Sequence, residues 1–365
     1  MQIDLVCSRC HTRYSWYDPV WQCRCGGLLE VDYQPQIDID KIGSETQGIW
    51  RFRSAIPVPE KVDYLSLGEG FTPLLKLELW GREIYVKQDH LFPTGSYKDR
   101  GSAVMITRIK EIGIKQVVED SSGNAGASVA AYCAAAGIEA KIVVPSTTSK
   151  HKVDQIGIYG AEIDRSTSCR SDAEKKAISL SRESYYASHV RDPFFIQGVK
   201  TFAFEIWEQL GMRSPDMLIL PVGNGTLLLG AYLGFSELYQ SGLISKIPRF
   251  IGVQASNCAP LVNAYKKKGA QEHETVIKPT IAEGIAIAQP LRNTQILKVI
   301  SETEGDLITV SETEIKATHH YLVKMGFSVE PTSAVAIAGL KKYSNSIDPA
   351  ELIVTSFTGH GLKAI

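Results

Sequence analysis

Pro93-Thr94-Gly95-Ser96-Tyr97-Lys98-Asp99-Arg100-Gly101 is the stretch on which the reading of this sequence turns. A glycine turn runs into a segment with apolar residues at Met105, Ile109 and Ile112, the i, i+4, i+7 spacing of a helix. Lys98 therefore stands in the opening turn of that helix. The positive end of the helix dipole disfavours a cation there, so a solvated surface lysine is a less natural explanation than usual. An amine whose charged form is disfavoured is what Schiff-base chemistry with an aldehyde needs. On spacing alone, the two explanations weigh equally.

Outward from this stretch, apolar runs alternate with helical segments. Ile84–Lys87 precedes the lysine helix, and Gln116–Asp120 follows it as a strand. A helix from Ala125 to Ala136 closes at Gly137, a strand spans Lys141–Val144 before Pro145, and a helix opens near Ser149. A helical stretch over Val199–Leu210, a strand at Met217–Val222, a helix through Leu227–Leu238 and strands at Phe250–Gln254 and Leu352–Ser356 complete the pattern. Such alternation predicts an α/β fold with a mostly parallel sheet covered by helices. No internal repeat breaks it.

Three more loops carry polar chemistry. Ser121-Ser122-Gly123-Asn124-Ala125-Gly126-Ala127-Ser128 lies between a strand and a helix, where backbone N–H groups and hydroxyls would face an anion such as a carboxylate. An ordinary N-cap serine explains one hydroxyl of that run but not all of it. Pro221-Val222-Gly223-Asn224-Gly225-Thr226 repeats the strand, loop, helix arrangement, and its glycines let backbone approach a phosphate. Neither a dinucleotide nor a nucleoside-triphosphate fingerprint is present, which leaves a single phosphate group. Ser356-Phe357-Thr358-Gly359-His360-Gly361-Leu362-Lys363 ends a strand in a hydroxyl flanked by glycine. An aldehyde for the lysine, a phosphate for one loop and a carboxylate for the other together describe pyridoxal 5′-phosphate with an amino acid.

Composition excludes other classes. The 365 residues hold 39 Lys and Arg against 40 Asp and Glu, with a formal charge of −1, so no cationic surplus is available for a nucleic-acid backbone. The apolar stretch around Val129–Ile138 is shorter than the roughly 20 residues of a membrane span, and Met1–Cys10 has no signal-peptide core. A cytoplasmic protein is expected, with no membrane or nucleic-acid partner. Seven cysteines are unevenly placed: Cys7, Cys10, Cys23 and Cys25 crowd the N-terminus as C-x2-C, twelve residues, then C-x-C-G-G ahead of a strand at Leu28–Tyr33. Reduced thiols or a tetrahedral zinc site fit this better than a disulfide framework, although C-x-C is tighter than the usual second half.

In combination and order, these motifs resemble the fold type II (β-family) pyridoxal-phosphate enzymes and, among them, the threonine synthases. The resemblance runs from the cysteine knuckle through Phe71-Thr72-Pro73-Leu74 and the four loops to the C-terminus. It implies two open α/β domains with the cofactor between them, plus a ribbon-like knuckle. The expected boundaries are 1–32 for the ribbon, 33–100 with 200–365 for the large cofactor-binding domain, and 101–199 for a small mobile domain. It also implies that Lys98 is the Schiff-base lysine and that Asn124 meets the cofactor's ring hydroxyl oxygen. Ser122, Gly123 and Ala125 would hold the substrate carboxylate, Gly223, Asn224, Gly225 and Thr226 the cofactor phosphate, and Thr358 would face the pyridine nitrogen. Many members of the family are dimers.

One region departs from the threonine synthase pattern. Where an Asn-Ser pair and an arginine would bind the substrate's phosphate, the segment Ser188–Thr201 has His189, Val190 and Phe195; Arg191 could substitute for the arginine. Thr280-Ile281-Ala282-Glu283-Gly284-Ile285 resembles serine and threonine dehydratases as much as threonine synthases. The expected activity is amino-acid biosynthesis by a lyase converting O-phosphohomoserine and water to threonine and phosphate. The alternative is β-elimination or β-replacement on serine, threonine or phosphoserine, as in a dehydratase or a cysteate-synthase-like paralogue. A non-catalytic binder is the reading from another class, and the intact lysine motif argues against it.

Overall fold

The computed structural model describes residues 2–39, 42, 48–266 and 277–364. In chain order its strands are β1 (Asp4–Cys7), β2 (Arg13–Ser15), β3 (Leu29–Asp32), β4 (Leu74–Leu79), β5 (Arg82–Lys87), β6 (Gln116–Glu119), β7 (Glu139–Pro145), β8 (Glu162–Thr167), β9 (Tyr185–Tyr186), β10 (Met217–Pro221), β11 (Arg249–Ala255), β12 (Asp306–Val310) and β13 (Ile353–Ser356). The helices are α1 (Lys98–Glu111), α2 (Asn124–Ala136), α3 (Lys150–Gly157), α4 (Arg170–Leu180), α5 (Pro193–Val199), α6 (Thr201–Gln209), α7 (Thr226–Gln240), α8 (Pro260–Lys266), α9 (Asn293–Glu302), α10 (Glu312–Lys324) and α11 (Pro331–Tyr343). They divide into two compact units, Met1–Phe71 with Phe92–Thr201, and Thr72–Leu91 with Phe202–Ile365.

The first unit contains two sheets. A small antiparallel one runs β2-β1-β3, with Asp4 opposite Ser15 and Cys7 opposite Leu29. A four-stranded parallel sheet runs β8-β7-β6-β9, its crossovers made by helices because parallel neighbours cannot be joined by a tight turn. Val118, Val143, Ala173, Ala177 and Tyr186 form a core there, with Trp21 packed against it. Residues 33–71 and 92–100 fall in this unit. The reason is local bonding: Leu65 N–H donates to Thr107 Oγ1 of α1 at 3.0 Å, and Tyr132 of α2 donates to Glu69 at 2.8 Å.

The second unit is built on the six-stranded sheet β12-β11-β10-β13-β5-β4, parallel except for the β4–β5 hairpin. All five residues of β10 are buried, as a central parallel strand covered on both faces requires. Met217, Ile219, Ile251 and Val253 of the sheet pack with Val335 and Ile337 of α11. The helix expected over Val199–Leu210 is α6, and a further short helix, α5, precedes it because the Asp192 side chain accepts from Phe194 N–H and Pro193 takes the first turn. No described helix is long and apolar enough to cross a membrane.

Candidate active site

In the first unit, Lys98 is the first residue of α1, and its loop is fixed by the next residue. The Asp99 carboxylate turns back and accepts from Thr94 N–H at 2.8 Å and from Thr94 Oγ1 at 2.5 Å. The helix start therefore holds its own preceding turn in shape. Lys98 is half-buried and its Nζ donates to Tyr97 Oη at 2.7 Å. The same Nζ lies 5.7 Å from the centre of the Phe195 ring, so an apolar wall flanks the amine. Ser96 is fully buried, and its Oγ has no hydrogen-bond partner among the described residues. A buried hydroxyl left this way is costly unless something else meets it.

Ser121–Asn124 lies where expected, between β6 and α2. Ser121 Oγ accepts from Gly123 N–H at 3.3 Å, Ala125 is buried, and Ser122, Gly123 and Asn124 are half-buried. The first turn of any helix has N–H groups that no helix carbonyl satisfies, so this edge suits a carboxylate. Gly126 sets the close approach of helix to strand, since a Cβ there would stand 2.0 Å from Ser121 O.

Sequence reasoning missed the acids beneath this loop. Glu119 ends β6 fully buried, with Oε1 2.6 Å from His189 Nδ1 and Oε2 without a hydrogen-bond partner among the described residues. Burial pushes the Glu119 carboxyl up to about 8 and the His189 imidazole well below its usual range. Both effects favour a neutral, hydrogen-bonded pair. Tyr186 donates to Asp120 at 2.8 Å, and the Asp120 carboxyl is pushed up to about 6 by burial and by Glu119. His189 stacks edge-on with Phe195 at 5.9 Å. Arg191, two residues beyond His189, donates to Glu174 of α4 at 2.6 Å. No spacing rule connects residues 119 and 189, so only the fold brings them together.

In the second unit, Gly223–Gly225 links β10 to α7, and Thr226 is the buried first residue of that helix. Gly225 has φ +77°, and a Cβ there would meet Ile296 at 2.3 Å; at Gly223 one would stand 2.9 Å from Ile285 Cα. At both glycines the backbone leaves no room for a side chain. Thr358, 2% exposed, follows β13, and Ser333 of α11 anchors it: Ser333 Oγ accepts from Thr358 N–H at 2.9 Å and lies 3.3 Å from Thr358 Oγ1. Lys87 at the end of β5 makes a fully buried ion pair with Glu205 at 2.6 Å and donates to Thr72 O and Gln209 Oε1 at 2.6 and 2.7 Å. The Lys87 carbonyl in turn accepts from Phe357 N–H at 2.9 Å, which fixes the turn carrying Thr358. Ser333, Lys87 and Glu205 carried no local signal in the sequence.

Each unit offers groups that suit part of pyridoxal phosphate: in the first, a half-buried amine at a helix start with a buried hydroxyl, Ser96, without a partner among the described residues; in the second, a glycine loop at the start of α7 with no room for a side chain at Gly223 or Gly225. The chain belongs to the pyridoxal-phosphate-dependent enzyme family, whose model, described as "Pyridoxal-phosphate dependent enzyme", matches residues 65–359. Among curated relatives, threonine synthase of Methanocaldococcus jannaschii is 37% identical over 98% of this chain and 92% of its own length. Threonine synthase of Methanosarcina acetivorans is 34% identical over the same shares. Among solved structures, threonine deaminase isoform 2 from Solanum lycopersicum has a TM-score of 0.67 at 26% identity, covering 79% of each chain.

Proposed function

We propose that this chain is a lyase of the threonine synthase type, converting O-phosphohomoserine and water to threonine and phosphate. The observation that carries the reading is Lys98 at the opening of α1, in a chain 37% identical to a threonine synthase along nearly its whole length. When bound, pyridoxal phosphate supplies an aldehyde for the lysine and a conjugated ring that accepts the electrons released at the substrate's Cα. The remaining work belongs to the chain. Backbone N–H groups of Gly223, Asn224, Gly225 and Thr226 hold the cofactor phosphate. Asn124 would meet the ring hydroxyl oxygen, and the neutral Thr358 hydroxyl would face the pyridine nitrogen. A neutral hydroxyl does not enforce a protonated ring as a carboxylate would, and this discourages transamination. Ser122, Gly123 and Ala125 orient the substrate carboxylate. The Lys98 amine would take the proton at Cα and then one at Cβ; the Cγ–O bond would break with its electron pair leaving on phosphate, protons would return to Cγ and Cα, and water would add at Cβ, its oxygen becoming the threonine hydroxyl.

A second reading has its own support. Phe195 faces Lys98 where threonine synthases carry arginine, and Arg191, the substitute, is paired with Glu174. A dianionic phosphate gains most from bidentate guanidinium recognition, whereas an apolar wall suits serine or threonine. The two readings separate by product. Given a panel of amino acids, the cofactor-loaded protein should release phosphate and threonine from O-phosphohomoserine at a higher kcat/KM than it forms 2-oxoacid and ammonia from serine or threonine. Dominant 2-oxoacid formation would make the dehydratase reading correct.

A further inference from the structure

The cysteine-rich start of the chain is the motif that the lyase chemistry leaves unused. Cys7 ends β1 and Cys10 follows in the next turn, while Cys23 and Cys25 lie on the turn leading to β3. Their four sulfur atoms all lie within 4.8 Å of one another, with 3.5 Å for Cys7–Cys25 and 3.5 Å for Cys10–Cys23. All four thiols are free. Sulfurs about 2.3 Å from a central zinc stand about 3.8 Å apart at the corners of a tetrahedron, whereas a disulfide needs about 2.05 Å. The spacing is that of a ligand set.

Two further observations point to a metal. Donors aim at the sulfurs: Arg9 and Cys10 N–H at Cys7 Sγ (3.4 and 3.5 Å), Gly27 N–H at Cys25 Sγ (3.4 Å) and the Tyr14 hydroxyl at Cys23 Sγ (3.2 Å). Such donors favour thiolate over thiol and orient it. The short C-x-C half is closed by glycine: a Cβ at Gly27 would stand 2.6 Å from Cys7 Sγ, and Gly26 has φ +83°. Only a side-chain-free turn lets C-x-C bring its second sulfur to the corner that C-x2-C usually supplies.

We propose that Cys7, Cys10, Cys23 and Cys25 bind one structural Zn²⁺, and that the pinned ribbon braces the helix that opens with Lys98. Four Zn–S bonds form, four thiol protons pass to solvent, and no electron moves. A soft four-sulfur tetrahedron favours zinc and leaves no open position for water, so the site is structural rather than catalytic. The brace runs through Arg108 of α1, whose Nε donates to Trp16 O at 3.0 Å and Nη2 to Asp18 O at 2.6 Å. Trp16 packs edge-on against Phe194 at 6.2 Å, and Trp21 against Tyr186, the donor to Asp120, at 5.1 Å. Without the metal, the loop between β2 and β3 that holds both tryptophans loses its closure.

Elemental analysis of the full-length protein, purified without chelator from zinc-supplemented cells, tests the assignment. We expect about one zinc per chain, kept in Cys169→Ser and reduced about tenfold or more in Cys10→Ser and Cys25→Ser. Releasing zinc from the wild type with an organomercurial, and titrating it with a metallochromic dye, gives the same stoichiometry whether or not the variants fold. Amide exchange then reads the brace: on zinc release it should rise in α1 and stay unchanged in β10 and α7. Near-zero zinc with four reactive thiols, iron in its place, or a mass showing two disulfides overturns the metal assignment. Stoichiometric zinc whose release leaves α1 exchange unchanged overturns the brace.

Discussion

Lys98 occupies a position that a helix ordinarily gives to an acid or a neutral cap, since the dipole disfavours a cation there. If it is the residue joined to the cofactor, borohydride reduction of the loaded protein will fix the cofactor on the peptide containing Lys98, and Lys98→Ala will lose both the visible absorption and turnover. Labelling of a different lysine would assign the chemistry elsewhere. His90 offers a pH test in the second unit. Burial, and then the neighbouring His360 ring at 5.7 Å, hold its imidazole down to about 4 from an ordinary 6.5. Its folded pKa is depressed, so between those values the unfolded chain binds a proton that the native state refuses. Stability is complete above pH 6.5 and falls as pH drops towards 4. His90→Gln should flatten the fall in Tm over that window relative to the wild type; parallel curves would mean His90 contributes nothing to it. Lys98, Asn124 and Thr358 were legible as residues because each sits in a short local motif. Glu119 and Ser333 were not, because their partners lie 70 and 25 positions away.

Strands and helices were legible to the extent that their signals were local. The closing Gly137 of α2, which the structure shows in the left-handed region, and the buried run of β10 could be read directly. Asp192-Pro193 was an equally local start signal for α5 and went unread, whereas the helix expected over Val199–Leu210 is present as α6. The Lys87–Glu205 pair joins β5 to α6 with neither side chain exposed, and nothing in spacing announces it. Removing one member of a fully buried pair strands the other charge, so Lys87→Met should lower stability by about 3–5 kcal/mol. The double variant Lys87→Met/Glu205→Leu should recover most of that loss, as measured by denaturant unfolding. Additive losses would show that the two side chains act independently.

For the whole molecule, near-neutral composition offered no functional signal of its own and left the reading to the loops, and those loops are where the family was readable. Residues 33–71 lie in the first unit, tied there by hydrogen bonds from Leu65 N–H to Thr107 of α1 and from Tyr132 of α2 to Glu69. In the proposed reading, substrate choice is set by side chains around Lys98, with Phe195 5.7 Å from its amine and His189 edge-on to that ring. Product analysis in ¹⁸O-labelled water reads that choice most directly. Given O-phosphohomoserine, the cofactor-loaded protein should form threonine and phosphate in equal amounts, with the label in the threonine hydroxyl. A loaded protein that releases neither product, or that forms only 2-oxoacid and ammonia from serine and threonine, would contradict it.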